Sequence, residues 1–211
     1  MGESLGVGVP AIPKQERSKQ TKEKIVQAAI KLFQERGYEK TTSNDIASQA
    51  GVSVGSFYVY FTDKRQLLLT IFDRLADELY KNIFDGLKPE HLFDSDLRQR
   101  IRLAVANTII DKQKYSGLHR VVSELLLKDP DFSARHKAVM SRSIAKLHEL
   151  ISLAQKAGLT WEIDVEASAF IVNRVVFDIS QGYVTGCCEF DQNRATDAIA
   201  DMIYRFVFKP R

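Results

Sequence analysis

Four histidines and two cysteines are the side chains of this chain best suited to metal binding or covalent catalysis. His91, His119, His136 and His148 never fall four residues apart, the interval that puts two imidazoles on one helical face for zinc. His148-Glu149 also lacks the second histidine of a zinc-protease motif. Cys187 and Cys188 are sequence neighbours, which rarely reach disulfide geometry, so two reduced thiols are expected. No glycine-rich phosphate loop follows a strand pattern and no nucleophile elbow occurs. The expectation is no metal, no cofactor and no catalytic set. A different constellation lies in residues 42–64, where Thr42, Ser43, Asn44, Ser56, Tyr58, Tyr60 and Lys64 gather short hydrogen-bonding groups, two phenols and a cation. Groups of this kind can position and read a polyanion.

Two short apolar-periodic segments must position them, one with Ile46, Ala47 and Ala50, the other with Val54, Phe57 and Phe61, separated by Gly51-Val52-Ser53. Glycine can take the left-handed conformation that ends a first helix, Val52 can fill the angle between two helices, and Ser53 can cap the second. This is the outline of a helix-turn-helix. Upstream, Ile25, Ala28, Ala29, Leu32 and Phe33 recur at spacings of three and four, marking one buried face of a helix that ends near Gly37. Arg17, Lys19, Lys22 and Lys24 line its first turns, as either a solvated face or a set of phosphate contacts.

The longer pattern resembles the TetR family of one-component transcriptional regulators. It comprises Thr21, Ile25, Ala28, Ala29, Leu32, Phe33, Gly37-Tyr38, Thr42, Ile46-Ala47, Ala50-Gly51-Val52-Ser53, Phe57-Tyr58, Tyr60-Phe61, Lys64 and Leu67-Leu68. The resemblance implies a DNA-binding head in which Ser56, Tyr58 and Tyr60 meet phosphates and sugars and Lys64 holds a phosphate. With Phe57 packed inward, Val54, Gly55, Ser56, Tyr58, Val59 and Tyr60 are left for the major groove. Positions 54 and 59, often polar, basic or aromatic in the family, are both valine here. Valine cannot read guanine N7 and O6, so thymine methyls remain for these two, with Thr42, Ser43 and Asn44 as the nearest polar readers. Operator preference should lean toward A·T steps.

The 211 residues suffice for one large or two modest domains, and 45% hydrophobic with 27% charged residues is ordinary for a globular protein. Residues 14–64 carry nine Lys and Arg against six Asp and Glu, so the small basic excess sits with the helix-turn-helix. No apolar run reaches the ~20 residues of a membrane span and no secretory signal pattern opens the chain, so a cytoplasmic protein without membrane contact is expected.

The expected class is all-α: a flexible tail over residues 1–16, a three-helix DNA-binding head over 17–62, and a helical effector-binding and dimerisation body over 63–211. Body helices are expected at about 63–84, 97–113, 118–127, 132–157, 164–185 and 195–207, with a linker over 86–93. Residues facing a ligand are sought among Phe93, Tyr115, His119, Met140, Trp161, Phe170, Asn173 and Phe177. Asn173 stands out as a neutral polar side chain in an apolar helix. The family resemblance implies a small, often hydrophobic or aromatic effector, a double-stranded operator and a homodimer closed by the last two helices. Phe170, Val176, Phe177, Ile199, Ile203 and Phe206 are the interface candidates. A helical ligand-binding protein without DNA contact, or a small helical enzyme, are the alternatives.

The dimer expectation is checked by light scattering at micromolar concentration, which should return twice the mass of one chain. If Val176 and Ile203 meet a partner, Val176→Asp or Ile203→Asp should dissociate or unfold the dimer.

Overall fold

The computed structural model describes residues 14–210. These form nine α-helices: α1 (Lys14–Arg36), α2 (Ser43–Ala50), α3 (Val54–Tyr60), α4 (Lys64–Phe84), α5 (Leu97–Lys114), α6 (Ser116–Leu125), α7 (Pro130–Lys156), α8 (Val165–Thr185) and α9 (Gln192–Val207). The expected linker holds a single 3-10 turn at Pro89–Phe93. The only extended pairing among the described residues is one antiparallel bridge between Thr160 and Phe208. Helix α1 begins at Lys14, so residues 14–16, expected in the tail, are helical. The rest of that tail, residues 1–13, lies outside the described residues. No described helix is long and apolar enough to cross a membrane.

Helix starts follow from side chains that can accept the free N–H groups of a first turn. Thr42 and Asp45 form a reciprocal capping box at α2. Ser53 Oγ accepts the Ser56 amide at α3, and Asp63 Oδ1 the Gln66 amide at α4. Asp129, Asp164 and Asp191 serve α7, α8 and α9 in the same way. The end of α2 needs a left-handed residue, and Gly51 supplies it at φ 68°, letting the Val52 amide return to the Ala47 carbonyl at 3.0 Å.

Packing divides into two cores. The first gathers Ile25, Phe33, Ile46, Phe57, Phe61, Leu67, Leu68 and Ile71 from α1–α4, and also takes in Leu118, Val121 and Val122 of α6 and Phe132 of α7. The second joins Ile101, Val105 and Ile109 of α5 to Ile151, Ala169, Val172, Ile199, Ile203 and Val207 of α7, α8 and α9. The first half of α4 thus packs with the head, and the head rests directly on α6. Three arginine contacts tie α4 and α7 along their lengths: Arg65 with Asp129 and Asp131 (both 2.6 Å), Arg135 with Asp73, and Arg142 with Asp77 (2.5 Å). Pairs this exposed contribute little stability singly, but they fix how the two helices face each other.

Helix α6 approaches α1 so closely that a Cβ on Gly117 would meet the Gln34 Cα at 2.9 Å and its carbonyl oxygen at 3.0 Å. Backbone cannot yield there as a flexible side chain would. Gly117→Ala should therefore lower stability by roughly 1–3 kcal/mol through overpacking at the joint between head and body. Urea denaturation of the variant beside the unmodified chain measures it.

Candidate nucleic-acid interface and ligand cavity

Phe57 is fully buried, and burying it turns the opposite face of α3 outward: Val54 is 39% exposed, Tyr58 54% and Val59 77%. Asn44 and Tyr58 are exposed and their side chains have no hydrogen-bond partner among the described residues, leaving both free to bond a polyanion. Other expected readers are already engaged. Thr42 Oγ1 donates to Asp45 Oδ2 at 2.6 Å while accepting the Asp45 amide. Ser56 Oγ pairs with Ser53 Oγ at 2.8 Å, and the Tyr60 hydroxyl donates to Ser18 Oγ of α1 at 3.1 Å. Ser43 is half-buried and Gly55 exposed.

Lys64 departs from the expected picture. At the first position of α4 its ammonium opposes the helix dipole, and the structure offsets this with protein groups. Nζ donates to the Tyr38 carbonyl at 2.9 Å and lies 4.3 Å from the Tyr38 ring centroid. The ammonium has further N–H groups to offer a phosphate, but it reaches outward from an anchored position.

In the body, α4–α9 and the 3-10 turn surround a cavity of about 220 Å³. Leu75, Leu79, Ile83, Val105 and Leu147 give it a mainly apolar wall. One region is polar and draws on four helices. Lys112 of α5 is only 4% exposed, and its Nζ donates to the Phe177 carbonyl at 3.3 Å and to Gln181 Oε1 at 3.2 Å, with the Phe177 ring centroid 3.5 Å away. Gln181 Nε2 donates to Ser123 Oγ at 3.2 Å, which donates to the His119 carbonyl at 2.8 Å. The imidazole of His136 meets the same Phe177 ring edge-on, 5.5 Å between centroids. Three buried polar atoms on this wall lack any hydrogen-bond partner: His119 Nε2, His136 Nε2 and Asn173 Oδ1.

Burial sets the charge state of these groups. It pushes the Lys112 ammonium down to about 7, with Asp178 and Asp111 opposing the shift and Arg174 adding to it. Burial lowers His119 to about 4 and also depresses His136, Lys112 reinforcing both. Asp111, on the same cavity wall, is raised to about 6 by burial and then by Glu78.

Of the ligand candidates, His119, Met140, Asn173 and Phe177 line the cavity. Phe93, Tyr115, Trp161 and Phe170 do not. Phe93, Trp161 and Phe170 are 62%, 45% and 53% exposed, and Tyr115 packs against the first core, because the segments carrying them present those positions to solvent or to the head. The interface candidates divide similarly. Val176 and Phe177 line the cavity, and Ile199 and Ile203 are 5% and 6% exposed inside their own protomer, because α5 and α7 cover that face of α8 and α9. Phe170 and Phe206 do face outward, joined by Ile171 and Met202. An aspartate at Val176 or Ile203 would therefore strike the cavity or core of one chain. Lys112 was missed altogether. Its signal lay in the apolar stripe Ile101, Val105, Ile109, Lys112, where a cation occupies a core position.

Residues 25–71, spanning α2 and α3 with parts of α1 and α4, match the family model of bacterial regulatory proteins of the tetR type. The chain is similar to the HTH-type transcriptional regulator YvdT of Bacillus subtilis (strain 168), at 30% identity over 150 residues, 66% of this chain and 73% of that protein. Its fold is similar to that of a TetR-family transcriptional regulator from Mesorhizobium loti MAFF303099 (TM-score 0.75, 19% identity, covering 92% and 99% of the two chains). It is also similar to that of a transcriptional regulator from Saccharomonospora viridis solved in complex with choline (TM-score 0.73, 18% identity, 91% and 100%).

The buried lysine makes a stability statement. Its pKa lies near 7 when folded against an ordinary 10.5, so the unfolded chain holds this proton more tightly. The penalty is complete below pH 7 and fades as pH rises from 7 toward 10.5. Lys112→Met should raise stability at pH 7 by roughly 1–4 kcal/mol and flatten this dependence. Urea denaturation at pH 6, 7.5 and 9 compares the two slopes.

Proposed function

The chain belongs to the TetR family of bacterial regulatory proteins, and on that premise we propose that this transcriptional regulator is a homodimeric repressor held on a near-palindromic DNA site and released by a small molecule in its cavity. The observation that carries this reading is the course of α4. It starts with Lys64 beside the recognition helix α3, packs Leu67, Leu68 and Ile71 into the head core, and ends with Leu79, Ile83 and Phe84 on the cavity wall. A ligand that spreads that wall displaces α4, and the head follows through a close-packed core that does not deform smoothly. Two heads on one duplex must stay in register with grooves about 34–36 Å apart or a multiple of that, so a small displacement weakens binding. The Saccharomonospora viridis protein, alike in fold, supports a small molecule as the cavity's occupant.

In this proposal Asn44, Val54 and Val59 face the base edges, and Tyr58 and Lys64 meet the phosphate backbone. The exposed Phe170 and Ile171 of α8 and Met202 and Phe206 of α9 are covered by a second copy. Phe170→Asp should then yield a folded monomer by light scattering, whereas Val176→Asp should unfold the chain.

The decisive experiment selects a binding site from random duplexes and measures affinity by fluorescence anisotropy across salt concentrations. Lys64→Ala should weaken all duplexes alike and reduce the salt slope by about one, while substitution at Val59 or Asn44 should change sequence preference. Unchanged affinity for Lys64→Ala at every salt concentration would refute the docking. Absence of any duplex binding at low salt would leave a helical ligand-binding protein without DNA contact.

A further inference from the structure

We propose that the cavity takes an amphipathic monoanion, an apolar body ended by a carboxylate-like head that sits against Lys112 within reach of His119 and His136. This rests on the reading of the cavity as an effector site and names the chemistry of its occupant. The apolar wall selects the body. The scale is set by the observation that a cavity of about 150 Å³ takes benzene. A volume of about 220 Å³ then holds roughly nine heavy atoms.

The head group follows from what the polar wall lacks. Lys112 is buried with two neutral acceptors and an aromatic face, and no carboxylate lies within ion-pair distance of it among the described residues. Asp178, a carboxylate that bears on it electrostatically, is paired with Arg174 at 3.0 Å. A desolvated cation without a counter-ion is complemented by an anion. His119 Nε2 and His136 Nε2, both unpartnered, can each donate to an oxygen of that anion in the appropriate tautomer. Asn173 Oδ1 accepts from a hydroxyl on the ligand, or donates to it with the amide turned over. A cationic ligand fits poorly, because Lys112 already occupies the face of Phe177 and Arg174 adds positive charge nearby. A neutral ligand leaves the ammonium uncompensated.

Proton linkage gives the occupant a signature. The charged and titratable groups around Lys112 are Asp111 on its own helix, His119 on α6, His136 on α7, and Arg174 and Asp178 on α8. With the free ammonium titrating near pH 7, an anion beside it raises that value, so binding above pH 7 draws a proton onto Lys112. Affinity for the anion therefore falls as pH rises from 7 to 9. An anion there also favours the protonated forms of His119 and His136, which burial disfavours in the free protein.

Calorimetric titration of the full chain with octanoate, 1-octanol and octylamine at pH 6.5 and 8.5 tests this, since the three share one chain and differ in head charge. Octanoate should bind at least tenfold more tightly than 1-octanol at pH 6.5, the preference should shrink at least threefold at pH 8.5, and octylamine should bind most weakly. Lys112→Met should abolish the preference while still taking 1-octanol. Independently of any variant, octanoate binding at pH 7.5 in two buffers of different ionisation enthalpy should show proton uptake, and 1-octanol none. The proposal is overturned if 1-octanol or octylamine binds as tightly as octanoate, if none of the three binds at millimolar concentration, if proton uptake is absent, or if folded Lys112→Met keeps the preference. Anisotropy on the same preparations separates the two readings. Intact DNA binding without octanoate binding refutes the ligand class alone, whereas preferential octanoate binding with unchanged DNA affinity supports the ligand class and refutes the effector role.

Discussion

Everything in this molecule depends on α4 being buried in two places at once. At 21 residues it spans roughly 30 Å, long enough for its first turns to pack among the head helices and its last to wall the cavity. Leu67, Leu68 and Ile71 are completely buried at one end, and Phe84 is 6% exposed at the other. Neither end can shift without repacking its surroundings, which is the physical basis of the coupling proposed between cavity and head. The Arg65, Arg135 and Arg142 contacts bring α7, with the cavity residues His136 and Met140, into the same frame. In the proposed mechanism, movement of that wall has two parallel routes to the head, the core of α4 and the ion pairs along it.

The cavity holds its polar groups at a cost to folding. Three buried polar atoms without partners and a buried ammonium without a counter-ion all oppose the folded state, and they lie together on one wall. A core selected for stability alone would place aliphatic side chains there. Such a concentration of unsatisfied polarity, set in a mainly apolar cavity, supports the proposed binding site more firmly than the aromatic residues scattered through the body.

The head contrasts with this. Its polar groups are largely satisfied within the protein, Thr42 by Asp45, Tyr60 by Ser18 and Lys64 by the Tyr38 carbonyl. These bonds hold the recognition helix in place, and Asn44 and Tyr58, among the described side chains without a hydrogen-bond partner, stand at the exposed surface.

The sequence by itself determined what local chemistry controls. Ser53 marks the start of α3 because its hydroxyl satisfies a first-turn amide, and Gly51 marks the end of α2 because glycine readily adopts the left-handed turn, whereas α7 and α9 start two and three residues before the expected 132 and 195, capped by Asp129 and Asp191. Spacings of three and four identified buried faces in α1 and α4, and with them the helical class and the helix-turn-helix. Only the tertiary structure decided which apolar surfaces meet. Val176, Phe177, Ile199 and Ile203 read as surplus apolar surface on α8 and α9, yet α5 and α7 cover them; Phe93 and Trp161 read as candidates for facing a ligand, yet they face outward. Periodicity reports that a face is apolar and is silent about its partner, because that depends on contacts between residues far apart in sequence. Lys112 shows the same limit: its place in the stripe of α5 was legible, but its neighbours Phe177 and Gln181, more than sixty positions away, came into view only with the fold.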